Sequence, residues 1–589
     1  MSAGAASSRP LVVGNCSGFY GDRLSAMREM LLGGPLDVLT GDYLAELTML
    51  ILARDRMTDP ATGYATTFLR QLEDSLGLAL ERGVTLVANA GGANPAGLAE
   101  AVEALAARLG LAPRVAYVDG DDLTPRAAEL GLGRPLGAHA YLGAFGIAQC
   151  LAAGADIVVT GRVTDASVTI GPAIAHFGWG RTAYDELAGA TAAGHVIECG
   201  TQATGGNFAF FTEVPDLVRP GFPIAEIHAD GSSVITKHPG TAGAVTVDTV
   251  LAQLLYEVGD ARYAGPDVTL RLDSLRVADE GGPGTDRVRI SGAHGEPPPP
   301  DLKVSCTRVG GFRNEMTFVL VGLDIEAKAE LVRRQLEDAL AERPAERPAE
   351  LTWTLSRTDH ADADTEERAS ARLTVVARDP EERRVGRAFS NAAVEIALGS
   401  YPGFFATSPP GPGRAYGVFS PGYVPQREAP HRAHLADGTV RSVAAPEHTA
   451  PLEPLAPQGV VGAAHEGPTL RVPLGRVAGA RSGDKGGSAN IGVWARSDAA
   501  FGWLAATLTT ERLRELLPEL ADLPLTRTVL PGLRAVNVVV DGLLGEGVAY
   551  NARFDPQAKG VAEWLRSRVV DVPESVLASL PDQTDGGAA

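Results

Sequence analysis

The sequence is poor in the features that mark the commonest specialised classes. Four cysteines among 589 residues (Cys16, Cys150, Cys199, Cys306), none in a C-x-x-C pair, argue against a disulfide scaffold or a zinc knuckle and for a reducing cytoplasm. No run of about 18 apolar residues occurs, so no membrane-spanning helix and no membrane partner are expected. The first apolar run, residues 11–13, stops at Gly14, too short for the core of a signal peptide. Basic residues are outnumbered, 52 against 72, and a net charge of −20 disfavours nucleic acid, whose binders carry a basic face. Neither H-E-x-x-H nor H-x-x-x-H is present, so no metal site is expected. G-x-S-x-G and the P-loop pattern are missing as well. Gly14, Gly18 and Gly21 follow the first apolar run as G-x-x-x-G-x-x-G, which is not the dinucleotide fingerprint. No cofactor is expected.

What is present is a repeating alternation. "PLVVGN", "LDVLTGD", "VTLVANAGG", "RVAYVDG" and "DIVVTGR" read as short buried strands, and "GDRLSAMREMLLGG", "PAGLAEAVEALAARLG" and "AFGIAQCLAAGA" read as helices between them. The expected fold is α/β: a parallel sheet flanked by helices over residues 9–400, with a change of pattern near 230–300 that could divide it into two lobes. Residues 401–467 are Pro-rich, eleven prolines falling within 402–457, and read as an extended connector. Residues 468–572 read as a small α+β domain of two strands, helices, two strands and a helix. Residues 573–589 read as a flexible tail.

In such sheets ligands sit at the carboxyl ends of the strands, so the loops there are the first place to seek chemistry. They supply Gly18 and Asp22, Asp42, Asn89 and Asn94, and Arg162 with Asp165. Gly18 would let backbone amides approach an anion. Asn94 suits a helix N-cap, whereas Asn89 stands directly at a strand end and could contact substrate. Arg162 would either brace Asp165 or grip a carboxylate or phosphate with its planar fork. "HVIECGTQATGGNF" (195–208) reads as one more apolar segment ending in a loop, with Glu198 as acid/base, Cys199 as a nucleophile if a cation supports its thiolate, and Gln202 and Asn207 as neutral donors and acceptors. Lys237 and His238 lie beside a Pro-Gly turn and could bind substrate. In the C-terminal unit, "ARSGDKGGSANIG" (480–492) gathers Arg481, Asp484, Lys485 and Asn490 in a Gly-rich turn. That turn is expected at an interface, between chains rather than within one.

These strings, with "GFYGDR", "TGDYLAELTM", "AYLGA" and "TKHPGTAGAVTVDTVLAQLLYEVGD", stand in the order of a known family. Over nearly its whole length the chain resembles the acyclic terpene utilisation (AtuA) family. The resemblance implies an α/β main domain followed by a ferredoxin-like C-terminal domain. It also implies a role in degrading citronellol- and geraniol-type acids through CoA thioesters. Two strings depart from the family pattern: His139 precedes "AYLGA" where Asn is usual, and "DPQAKG" (555–560) replaces the expected "QGK". The resulting expectation is a cytoplasmic, homo-oligomeric enzyme acting on an acyl-CoA or branched carboxylic acid by hydration/dehydration or thioester chemistry. Glu198 or Asp165 would move the proton. The alternative is a non-catalytic binding or assembly subunit.

Overall fold

The computed structural model describes residues 9–409, 411–453 and 467–581. The chain divides into two compact units. The larger is Met1–Thr307, Phe419–Gly545 and Gln557–Ala589; the smaller is Arg308–Val418 with Glu546–Pro556.

At the centre of the larger unit are five parallel strands: β1 (Leu11–Asn15), β2 (Val38–Gly41), β3 (Thr85–Ala88), β4 (Val115–Asp119) and β6 (Ile157–Thr160), in the order β1-β2-β3-β6-β4. β2 and β6 are buried at every position, as parallel strands covered on both faces require. Between β4 and β6 in the chain, β5 (Gly137–Ala140) leaves this sheet and pairs with residues 304–307 of the long strand Asp301–Val321. The sheet is mixed. β7 (Pro223–Ile227) joins β1 antiparallel, followed outward by β8 (Ser233–Lys237), Val288–Ser291 and Arg276–Asp279. The change of pattern after residue 230 is therefore no lobe boundary. It marks the passage from parallel to antiparallel strands of one eleven-stranded sheet.

The Pro-rich tract is extended, but it is not a plain connector. Arg432–His434 pairs with β4, and Val440–Ser442 forms the edge beyond it. Residues 454–466 lie outside the described residues. Of the expected tail, Glu574–Leu577 forms a short helix with Val576 buried, and 582–589 lie outside the described residues.

Helix Pro95–Arg108 starts as its sequence suggests. Asn94 accepts the Gly97 N–H at 3.1 Å, and Pro95 takes the first turn. "HVIECG" corrects the strand reading. Its apolar lead-in is the last turn of helix Tyr184–Ile197, in which every residue from Leu187 onward is buried. A segment that is apolar all round is a core helix, and periodicity over so few residues cannot tell it from a buried strand.

The C-terminal domain is a four-stranded antiparallel sheet in the order Ala478–Lys485, Ser488–Ala495, Ala535–Val540, Leu525–Leu530. Helices Asp498–Thr507, Thr510–Leu516 and Val561–Ser567 close a core around Ile491, Trp503, Leu504 and Val538. The smaller unit packs helices Ile325–Ala341 and Arg387–Glu395 on its own sheet, around Phe318, Val332, Leu336 and Phe389. Among the described residues, no helix is long and apolar enough to cross a membrane.

Candidate functional site

The carboxyl ends of the parallel strands do converge. After β2, Asp42 accepts Asn89 Nδ2 at 2.6 Å and the Leu44 N–H at 3.1 Å. Asn89, at the end of β3, accepts the Tyr43 N–H at 2.8 Å and is wholly buried. Asn89 thus ties two loops together, and its amide is engaged there rather than free for the substrate contact expected of it. After β1, Asp22 receives the Gly18 N–H at 2.9 Å and the Arg23 N–H at 2.7 Å, so both its oxygens serve the loop. A Cβ on Gly18 would lie 2.6 Å from the Cys199 carbonyl carbon, so glycine is needed for the approach of two backbones rather than for an anion.

Arg162 follows β6. Its Nη1 donates to Asp165 Oδ1 at 2.6 Å, and its guanidinium lies 4.2 Å from the Tyr141 ring centroid. Its backbone N–H donates to Asp121 Oδ2 at 3.0 Å, and the same oxygen lies 3.0 Å from His139 Nδ1. The side chain is 3% exposed, yet Nε has no partner. The brace is real and one donor is left over.

At the C-terminus of helix Tyr184–Ile197, His195 Nδ1 lies 3.3 Å from Glu198 Oε1 without hydrogen-bond alignment. Glu198 Oε2 and both ring nitrogens of His195 are buried without partners. Buried polar atoms without partners are costly, so this group calls for a functional or solvent explanation. Burial pushes the Glu198 carboxyl well up, and the nearby charges of Asp165 and Glu257 push the same way, while Arg162 and Lys485 oppose. The negative end of the helix dipole also favours its neutral form. Burial, with Asp165 and Glu198 beside it, raises Asp42 in the same manner. For Glu46, which accepts the Tyr141 hydroxyl at 2.9 Å, burial is outweighed by Lys303 and Arg162, and its carboxyl is held below its usual range.

The surroundings of Cys199 disfavour the thiolate expected of a nucleophile. Burial raises its thiol well above the usual value, and Glu198, Glu257, Asp42 and Asp165 add to that.

Other expected residues lie elsewhere or are already occupied. Asn94 Nδ2 donates to Thr62 O at 2.9 Å while its Oδ1 caps the helix, so Asn94 is structural. Lys237 pairs with Asp286 at 3.0 Å and donates to Thr241 O at 2.6 Å. His238 packs on Gly33 and Gly34, with Nε2 2.9 Å from Met30 O. Both side chains are taken up by these protein partners, although β8 runs parallel to β1 and ends at the same edge of the sheet. Gln202 accepts from Arg481 Nη2, and the exposed Asn207 offers only its backbone oxygen, to Arg481 Nη1 at 2.6 Å.

The 480–492 turn lies at an interface, and its contacts are with its own chain. Arg481 also stacks 4.5 Å from the Tyr256 ring centroid. A Cβ on Gly483 would meet that ring at 2.3 Å, so this glycine lets the strand close on Tyr256. Asn490 Nδ2 donates to Leu255 O at 2.7 Å, and Asn537 Nδ2 to Val258 O at 3.1 Å. Asp484 adds its charge to the surroundings of Glu257.

Glu257, Glu46, Tyr141, Lys303 and His195 are not among the residues expected from the sequence. Tyr141 and Glu46 stand inside quoted strings, "AYLGA" and "TGDYLAELTM", and for Glu46 a carboxylate four residues past Asp42 was the available signal. Among the described residues, no three His, Cys, Asp or Glu side chains converge to ligate a metal ion.

Residues 472–571 match the AtuA ferredoxin-like domain. No curated protein and no solved structure matches the chain. Residues 11–435 match the acyclic terpene utilisation family protein AtuA, and with the larger part of its length so covered the chain belongs to that family.

Proposed function

We propose that this protein is an enzyme of acyclic terpenoid acid breakdown that moves a proton next to the carbonyl of a branched carboxylic acid or its CoA thioester, by hydration/dehydration or thioester chemistry. The observation that carries this reading is Glu198. Its carboxyl is buried, is pushed toward the protonated form by its surroundings, has one oxygen without a partner, and stands beside the Arg162–Asp165 pair. A carboxylic acid kept neutral near pH 7 can donate a proton or a hydrogen bond to a developing enolate. Arg162, with its unpaired Nε, supplies positive charge for the anionic end, and Asp165, partly exposed, is the complementary base.

The test uses the purified full chain in D2O with a β-methyl-branched enoyl-CoA and with the corresponding free acid. Mass spectrometry reads water addition or deuterium at carbon, and a thiol reagent reads CoA release. Turnover that falls about 100-fold or more in Glu198→Gln is the expected result. Binding of either probe without any of the three reactions would overturn the enzyme reading in favour of a binding or assembly subunit.

A further inference from the structure

Of the 52 basic residues only five are lysines. One of them, Lys303, stands beside the strand-end cluster and has no part in the function proposed above. Its place follows from β5, the strand that leaves the parallel sheet. β5 pairs with residues 304–307, and the register carries on by one step, the Tyr141 N–H donating to Lys303 O at 2.9 Å. Facing residues of paired antiparallel strands put their side chains on the same face. Just beyond Tyr141 the chain joins the Arg162 loop, the Leu142 N–H donating to Arg162 O at 3.2 Å and the Thr164 N–H to Leu142 O at 3.0 Å. The Tyr141 ring is thereby brought against both basic side chains. The Arg162 guanidinium lies 4.2 Å and the Lys303 ammonium 4.7 Å from its centroid.

The surroundings of Lys303 fix its ammonium and leave its donors open. Nζ lies 5.4 Å from the Phe419 ring centroid as well, and ring faces hold a cation without using its N–H groups. The carboxylate beside it, Glu46, is 3.9 Å away, beyond hydrogen-bond reach, and accepts the Tyr141 hydroxyl at 2.9 Å instead. The Lys303 side chain is 39% exposed, so a ligand can reach it from solvent. Arg162 gives the matching observation from the buried side, with its side chain 3% exposed and Nε without a partner. One aromatic ring thus carries two cations, one inside and one at the rim, each with a donor to spare. Lysine suits the rim position because it is a compact point charge with three donors, where the planar fork of arginine favours bidentate pairing with a carboxylate such as Glu46.

We propose that Lys303 is a ligand-binding residue of this site: its ammonium, set on the Tyr141 ring beside Arg162, takes an oxyanion of the ligand, a carboxylate or a phosphate oxygen. This rests on the function proposed above for the class of ligand, a branched acid or its CoA thioester, and adds the group that grips it. In the free acid the oxyanion is the carboxylate, and in the thioester it belongs to the phosphates of CoA.

The experiment labels the full chain with nitrogen-15 at lysine Nζ and titrates it with a β-methyl-branched enoic acid, with CoA and with inorganic pyrophosphate. The signal missing in both Lys303→Met and Lys303→Arg should shift on addition of a probe. Calorimetry should show that probe binding about tenfold or more weaker in Lys303→Met, with Lys303→Arg in between. A response to the acid assigns the carboxylate, and a response to CoA or pyrophosphate assigns phosphate. A lysine that only packs on Tyr141 would lower the melting temperature of Lys303→Met and leave affinity unchanged. That outcome, or a wild-type chain that binds none of the probes, overturns the proposal. Neither readout needs turnover, so a chain that binds through Lys303 and converts nothing separates failure of the proposed function from failure of this inference.

Discussion

Asn490 holds Glu257 from both sides of one amide group: its Oδ1 accepts the Glu257 N–H at 2.8 Å, and its Nδ2 donates to Leu255 O at 2.7 Å. An asparagine is the right residue because it carries a donor and an acceptor on one planar group. Asn490→Ala leaves a buried N–H and a buried C=O without partners, and should cost on the order of 3 kcal/mol. Urea denaturation followed by tryptophan fluorescence measures it, since Trp494 lies on the same strand, Ser488–Ala495. Asn490→Asp keeps the acceptor alone and should recover only part of the loss. Stability equal to wild type in Asn490→Ala would show that the clamp is not formed.

Stability should depend on pH through Glu257. Its carboxyl titrates at about 7 when folded, against about 4.3 in an unfolded chain. The folded value is the higher one, so the folded state holds the proton more tightly. The stabilisation is complete below the unfolded value and is lost as pH rises through the folded one. Glu198 and Asp42, also raised, act in the same direction. Glu257→Gln removes one such group. It should therefore melt above the wild type at about pH 8, by an amount worth up to roughly 3 kcal/mol, and near it at about pH 4. A variant that melts lower at the alkaline end would contradict the raised carboxyl.

Arg162 braces Asp165 and keeps one N–H in reserve. Lysine cannot reproduce either the fork or the stacking on Tyr141. Arg162→Lys should lower stability by about 2 kcal/mol and weaken enoyl-CoA binding about tenfold. Calorimetric titration beside a melting curve separates the two effects. Loss of stability with unchanged affinity would confine Arg162 to the brace.

Cys199 should be a sluggish thiol despite its place in the site. Its surroundings are acidic and partly dry, so iodoacetamide near neutral pH should label it more slowly than a free cysteine. Rapid stoichiometric labelling, located by peptide mass spectrometry, would reinstate it as a nucleophile.

The strands of the parallel core were legible because each is a short, mostly apolar run followed by Gly, Asn or Asp, and burial on both faces favours such a run. The loops that follow them were legible for the same reason. Helix Tyr184–Ile197 was not, since a helix buried on all sides loses the 3.6-residue alternation that would distinguish it. Asn89 was correctly located but its partner was not, because a strand-end amide can bond a neighbouring loop as well as a ligand. Lys237 and His238 resemble site residues in composition, and only the fold shows Asp286 and Met30 beside them. Glu257 sits in "LLYEVGD", an ordinary helix-end sequence. Its backbone conformation and its neighbours come from strands more than 200 residues away, a distance over which no local pattern carries information.

The two outer strands of the long sheet, Arg276–Asp279 and Val440–Ser442, are four and three residues long. Each exposes little backbone for a further strand, and both carry charge, Arg276 and Asp279 on one and Arg441 on the other. Strand addition needs a longer and flatter template. Edges of this kind disfavour the fusion of two copies' sheets into one ribbon, and the tract that looked like slack between domains forms a selvedge on one side of the fabric.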